Sequence, residues 1–359
     1  MRKRFLNIIL SVFMLVVFTV SGTACSDGKE TDVIETEVVK NPVTVVACSD
    51  FQHPSGNDAS SRTVRSILRR IKNSGYQEID GFLCAGDYDY EYEETAEGIQ
   101  SLVDVVQKEY ETLGKDRMIF TQGNHDEAFS EGLTGEGAND TSEYGVFVIH
   151  EDEYAADGGY FGAVQRIASD LEKYLQEKVD KKYKRPIFVV SHVPLHYSMR
   201  TYRESCGLYS EYIFEVLNQY ARQGQNIIYL YGHNHNSWGY DDYLGGSSVY
   251  LTKGDIIYIP QIEKNTEVPN AQELQFTYLN AGYVGYSYSE NAGANKMLTM
   301  TVFHIDDETV KIERFGSTGP CNLKAKGVWS QYSSETAATY GAEDSYLEKI
   351  YESPQYMEK

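Results

Sequence analysis

Five short polar clusters hold most of the side chains in this sequence that could do chemistry: SDFQ (49–52), GDYDY (86–90), GNHD (123–126), SHVP (191–194) and GHNH (232–235). Together they supply Asp50, Gln52, Asp87, Asn124, His125, His192, His233 and His235, which are oxygen donors and imidazoles without a thiolate. Such a set suits divalent Mn, Fe, Zn or Ni. His233 and His235 are two residues apart and are read as serving two ions better than one. Asp87 directly follows Gly86 and can bridge two ions with its two oxygens. That would set the ions about 3.5–4 Å apart, the separation used in two-metal hydrolysis. Gly86, Gly123 and Gly232 permit the sharp turns that bring backbone close to such ions.

The elements that must position these clusters are visible around them. Each cluster follows an apolar, strand-like run: VTVVAC (43–48), DGFLCAG (80–86), RMIFTQ (117–122), PIFVVS (186–191) and NIIYLYG (226–232). Helical patterns lie between them at about 60–75, 95–113, 162–180 and 209–223. Strands alternating with helices predict βαβ units, and ligands bind at the C-terminal edge of such sheets. Past Trp238 the runs SSVYLT, DIIYIP, QFTYLNAGYVGY, MLTMTVFHI and TVKIERF read as successive strands with no helix between them. A mixed α/β sandwich in one domain accounts for both halves. EGLTGEGAND (131–140) lacks the G-K-[ST] of a phosphate loop and reads as a mobile rim of the site. His150 and His304 lie in strand-like segments and read as structural.

In order and in placement after strands, the five clusters resemble the motifs of the calcineurin-like metallophosphoesterase superfamily: D-x-H, G-D-x-x-D, G-N-H-D/E, a single His and G-H-x-H. The resemblance runs from about residue 43 to 235, and the later strands look like the family's second sheet. It implies a four-layer α/β/β/α sandwich of two mixed sheets flanked by helices, spanning 42–320. It also implies two divalent ions. One would be held by Asp50, Gln52, Asp87 and His235, the other by Asp87, Asn124, His192 and His233. A hydroxide between them would be the nucleophile attacking a phosphate mono- or diester, with His125 protonating the leaving oxygen. Two positions depart from the pattern. Gln52 stands where His is usual, and its carboxamide is a weaker, neutral donor; His53, one residue on, could substitute only by a different loop path. Tyr90 stands where the second Asp is expected, which leaves the partner of His125 open between Asp89 and Asp126.

Charge narrows the substrate. The 359 residues carry 32 Lys+Arg against 53 Asp+Glu, a formal charge of −21. Without a leader carrying Arg2, Lys3 and Arg4 the balance becomes −24. So acidic a surface repels polyanions and argues against a nuclease or any nucleic-acid polymer as partner. HYSMRTYRES (196–205) begins beside His192 and offers His196, Arg200 and Arg203 among tyrosines. Guanidinium forks suit phosphate oxygens, so this segment is the expected recognition element for a small phosphorylated substrate. The alternative is a non-catalytic surface protein of the same fold that binds metal or a phosphorylated ligand.

The first 24 residues have a basic start, an apolar stretch from Phe5 to Val20 and small residues before Cys25, the three parts of a secretory signal. The small residues before Cys25 resemble a bacterial lipobox, with Gly22 where Leu is usual. That resemblance implies a lipid anchor on Cys25 and a protein on the outer face of the cell membrane, simple secretion being the alternative. Residues 25–41 read as a flexible linker and 321–359 as a tail with one helical candidate near 335–351. Cys48 and Cys84 lie in apolar strands and read as buried thiols, whereas Cys206 and Cys321 could pair in an oxidising compartment.

Overall fold

The computed structural model describes residues 42–53, 58–89, 94–127, 129–150, 160–195, 210–233, 235, 250–259, 270–285, 298–306, 309–316, 327–330 and 334–335. The leader, the linker, Cys206, Cys321 and the recognition segment with His196, Arg200 and Arg203 all fall outside them. Among the described residues no helix is long and apolar enough to cross a membrane.

Two sheets dominate. In the first, β1 (Val43–Cys48), β2 (Gly81–Cys84) and β3 (Met118–Phe120) run parallel. The second contains β4 (Gly137–Ala138), β5 (Gly145–Ile149), β6 (Ile187–Ser191), β7 (Ile227–Tyr231), β8 (Tyr250–Leu251) and, further along the chain, β11 (Thr277–Asn280). Its order is β4-β5-β6-β7-β11-β8, with β5, β6, β7 and β11 parallel and the two edges antiparallel. A separate hairpin joins β9 (Ile256–Ile259) to β10 (Asn270–Glu273). The first sheet is completed by β12 (Thr299–Ile305), β13 (Thr309–Gly316), β14 (Gly327–Ser330) and β15 (Ser334–Glu335), in the order β15-β14-β13-β12-β1-β2-β3. The described helices are α1 (Ala59–Asn73), α2 (Thr95–Glu109), α3 (Tyr160–Asp180) and α4 (Ser210–Arg222).

Strand alternation sorts the core into three layers. From β1, Val43, Val45 and Ala47 face the second sheet, meeting Val146, Phe188, Val190, Ile228 and Leu230. Val46 and Cys48 turn the other way and pack with Val64, Ile67, Leu68 and Leu102 of α1 and α2. On the far side, Ile187 and Val189 of β6 pack with Val164, Leu171, Ile213 and Leu217 of α3 and α4. Strands buried on both faces read as continuous apolar runs, and it is these runs that located them in the sequence. The arrangement is the four-layer sandwich expected. Cys48 and Cys84 are buried free thiols paired across β1 and β2.

The differences are local. α2 ends at Glu109, short of the expected 113, because Tyr110 leaves helical geometry (φ −130°, ψ 76°) and its hydroxyl donates to the Tyr76 carbonyl at 3.0 Å. The long run QFTYLNAGYVGY contributes only Thr277–Asn280 to a strand, since Gly282 takes φ +114° and turns the chain. GVFVI (145–149), noted from sequence only as the strand-like segment before His150, is a central strand of the second sheet. The expected mobile rim at 131–140 is pinned: Thr134 accepts from the Phe120 N–H through its hydroxyl and donates its own N–H to Phe120, and Gly137–Ala138 pairs with β5. In the segment expected as a tail, 327–330 and 334–335 form edge strands of the first sheet, and the rest of the helical candidate lies outside the described residues.

Phe188 sits between the sheets, edge-on to Tyr144 (5.5 Å) and Phe303 (5.0 Å). Phe188→Ala should therefore cost about 3–5 kcal/mol in denaturant unfolding. A loss below about 1 kcal/mol would mean that the inter-sheet layer is not packed as described.

Candidate functional site

All the polar clusters emerge at the C-terminal ends of β1, β2, β3, β6 and β7, so the two sheets deliver them to one edge of the sandwich. Backbone geometry there is unusual. Asp50, Gln52, Asp87, His233 and His235 have φ of 53°, 42°, 61°, 66° and 48°. Left-handed backbone costs a non-glycine residue about 1–3 kcal/mol and persists only where the surroundings impose it. Here it turns successive side chains toward a single point.

Two groups of donor atoms result. In the first, His235 Nε2 lies 3.3 Å from Asp50 Oδ1 and 3.0 Å from the Gln52 amide. In the second, Asn124 Oδ1 lies 3.0 Å from His192 Nε2 and 2.7 Å from His233 Nδ1, and His192 Nε2 is 3.3 Å from Asp87 Oδ1. Donor atoms of Asp50, Asp87 and His192, all buried, lie within 4.8 Å of one another, so Asp87 stands where the groups meet. His233 ties them together, its ring in the second group while its backbone N–H donates to both Asp50 oxygens at 3.1 Å.

These groups fit cations. His192 Nδ1 donates to the Ala85 carbonyl at 2.7 Å. Its Nε2 faces Asp87 Oδ1, Asn124 Oδ1 and, at 3.2 Å, His233 Nδ1. Among the described residues Asp87 Oδ2 is buried without any hydrogen-bond partner. Burial alone would raise the Asp87 carboxyl, but His192 and His125 beside it hold it below the usual carboxylate range. Burial and the neighbouring His192 push His233 down to about 3, which keeps its ring neutral and able to ligate. A buried carboxylate oxygen without a donor, beside imidazole and amide groups, is a place a positive ion would fit.

The three glycines matter for different reasons. Only Gly86 has positive φ, at 86°. Gly123 and Gly232 are required by space: a Cβ at 123 would lie 2.2 Å from Asp87 Oδ1, and one at 232 would lie 2.8 Å from Asp50 Oδ2. Gln52 turns toward His235, whereas His53 stacks on Phe51 (5.4 Å, 5° between planes), so His53 does not replace Gln52 in the first group. Burial lowers the His53 pKa, against the opposing charges of Glu94, Asp89 and Glu97. Asp126, considered from sequence as a partner for His125, accepts the backbone N–H groups of Asp87, Tyr88 and Gly123 at 2.7–2.8 Å. It thereby splices the two ligand-bearing turns. Asp89 accepts the Glu94 N–H at 2.7 Å, at the start of α2. His125 is half-buried beside Asn124, and its N–H donates to Asp87 Oδ1 at 3.0 Å.

Sequence reasoning missed two supports. The Ser49 hydroxyl donates to Asp50 Oδ2 and lies 2.9 Å from the Gly282 carbonyl, joining the β1 turn to the segment after β11. Tyr283 stacks flat on His235 at 4.7 Å. Ser49 could have been suspected from its place beside Asp50, whereas Tyr283 is distant in sequence and carries no local signal.

The family model for calcineurin-like phosphoesterases matches residues 43–237, and the chain belongs to that family. It is a metal-dependent phosphoesterase, a hydrolase of phosphate esters. No curated protein matches it in sequence. Among solved structures it is similar to a dimetal phosphatase from Danio rerio, with 9% identity, 77% of this chain and 96% of that chain covered, and a TM-score of 0.47. It is also similar to the purple acid phosphatase PPD1 from yellow lupin, with 14% identity, 77% and 52% covered, and a TM-score of 0.43. A third likeness is to a 5'-nucleotidase precursor from Thermus thermophilus, with 12% identity, 87% and 59% covered, and a TM-score of 0.38.

Gly123→Ala should displace Asp87 and lower the metal content of the purified protein in elemental analysis, with far-ultraviolet circular dichroism still native. Unchanged metal content would contradict the close approach of the two turns.

Proposed function

We propose that the chain hydrolyses small phosphate mono- or diesters at two divalent ions, one held by Asp50, Gln52, Asp87 and His235, the other by Asp87, Asn124, His192 and His233. The observation that carries this reading is the pair of ligand-type groups meeting at Asp87, whose Oδ2 is buried and, among the described residues, unpartnered. When bound, two such ions would lower the pKa of water toward neutrality and neutralise charge on the phosphoryl oxygens. The protein's own residues hold this arrangement still. His192 is oriented by the Ala85 carbonyl and Asp50 by Ser49 and the His233 N–H. His125 is the proton donor to the leaving oxygen, because its backbone is clamped on Asp87 while its ring remains partly exposed beside Asn124.

The acidic chain favours a small ester over a nucleic-acid polymer. His196, Arg200 and Arg203 are the proposed recognition residues, and they lie outside the described residues. The leader-like first 24 residues and Cys25 support export with a lipid tether on the outer face of the membrane.

His125→Ala should retain its metal yet lower kcat on alkyl phosphate esters by about 10²–10⁴. The loss should shrink for nitrophenyl esters, whose leaving group needs no proton. Equal losses on both would remove His125 from the proton-donor role. Chelation followed by dialysis should abolish turnover and lower Tm, and Mn²⁺ should restore both, since an ion bound at 100 times its Kd stabilises by about 2.7 kcal/mol. Full activity after verified metal removal would overturn the reading.

A further inference from the structure

The turn that presents Asn124 and His125 is poorly supported by the sheet it leaves. β3 is three residues long and is the outer strand of its sheet, paired only with β2. On the inner side, the Thr121 N–H donates to Cys84, and there the ladder ends. On the outer side, Thr134 satisfies Phe120. The next backbone group, the Gln122 N–H, is bonded by a side chain from the other sheet: it donates to His150 Nδ1 at 2.9 Å. His150 directly follows β5 and is buried, and its Nε2 lies 2.6 Å from the Thr134 carbonyl. With Nδ1 accepting, Nε2 must carry the proton and donate it to Thr134, so the ring is neutral with its tautomer set by two backbone partners.

We propose that His150 is a positioning residue for the reaction: by bonding Gln122 and Thr134 from the end of β5, it sets the Asn124–His125 turn against the second sheet. The inference rests on the site reading above. Asn124 Oδ1 must meet His192 Nε2 and His233 Nδ1, and both of these belong to the second sheet. His150 supplies a cross-sheet tie two residues before Asn124. Without it, the turn keeps its Asp126 bonds to Asp87, Tyr88 and Gly123 but loses its direct tie to the end of β5, which loosens its placement against His192 and His233. A misplacement of about 1 Å in such a constellation can cost about 10²-fold in rate.

The two bonds of the ring can be separated by mutation. His150→Asn places an amide oxygen near the Nδ1 position, where it can accept from Gln122, and loses the bond to Thr134. His150→Leu loses both. Each variant, with Tyr110→Phe as a distant control lacking one buried hydroxyl, should be compared for Tm, for Mn²⁺ binding by calorimetry, and for kcat and KM on a nitrophenyl phosphodiester. We expect His150→Leu to lose about 10- to 100-fold in kcat with KM within about threefold, and to weaken one Mn²⁺ binding step. His150→Asn should lose a similar Tm but keep kcat and Mn²⁺ binding within about threefold of wild type, as should Tyr110→Phe. The proposal is overturned if His150→Leu loses Tm alone, or if Asn and Leu lose activity equally. Failure of the site reading itself would look different, because wild type would then bind no Mn²⁺.

Discussion

Taking a carboxylate out of water costs several kcal/mol unless hydrogen bonds or a positive charge replace its hydration. Asp87 is completely buried at the meeting point of two turns, with one oxygen facing His192 and the His125 N–H and the other facing no hydrogen-bond donor. Most of the local structure follows from placing it there. Gly123 has no side chain because Asp87 Oδ1 occupies the space a Cβ would need. Asp126 gathers three backbone N–H groups so that the turns carrying Asp87 and Asn124 cannot separate. A second buried carboxylate, Asp50, is neutralised in part by the Ser49 hydroxyl and the His233 N–H. The remaining deficit of positive charge is what divalent ions would supply.

The strain at the site has the same origin. Five donor-bearing residues are held in left-handed backbone, at about 1–3 kcal/mol each. Rigid parallel strands buried between helices and the opposing sheet resist relaxation, so strain at the strand ends persists. Stability is thus located in the three apolar layers and spent at one edge, where function needs geometry that the chain would not adopt by itself.

Much of this was legible in the sequence, because buried parallel strands leave unbroken apolar runs and each polar cluster begins where a run stops. The mixed α/β sandwich and the convergence of Asp50, Asp87, Asn124, His192, His233 and His235 at one edge follow from that punctuation, and the four-layer order from the family resemblance. What stayed hidden depends on long-range bonds. Nothing near Asp126 in sequence says that it will accept N–H groups from residues 87 and 88. GVFVI, between a glycine-rich stretch and a long helix, was not counted among the strands of the βαβ pattern, and the role of His150 at its end stayed hidden. Gln52 was read as a weakness in the donor set. In the structure its amide nitrogen lies 3.0 Å from His235 Nε2, while the neighbouring His53 packs on Phe51.

The central claim is that Asp87 lies between two cations. Anomalous diffraction from crystals grown with Mn²⁺, recorded at the manganese edge, tests it most directly. Two peaks about 3.5–4 Å apart should flank the Asp87 carboxylate, one near Asp50, Gln52 and His235 and the other near Asn124, His192 and His233. A single peak, or peaks away from Asp87 at saturating Mn²⁺, would contradict the account.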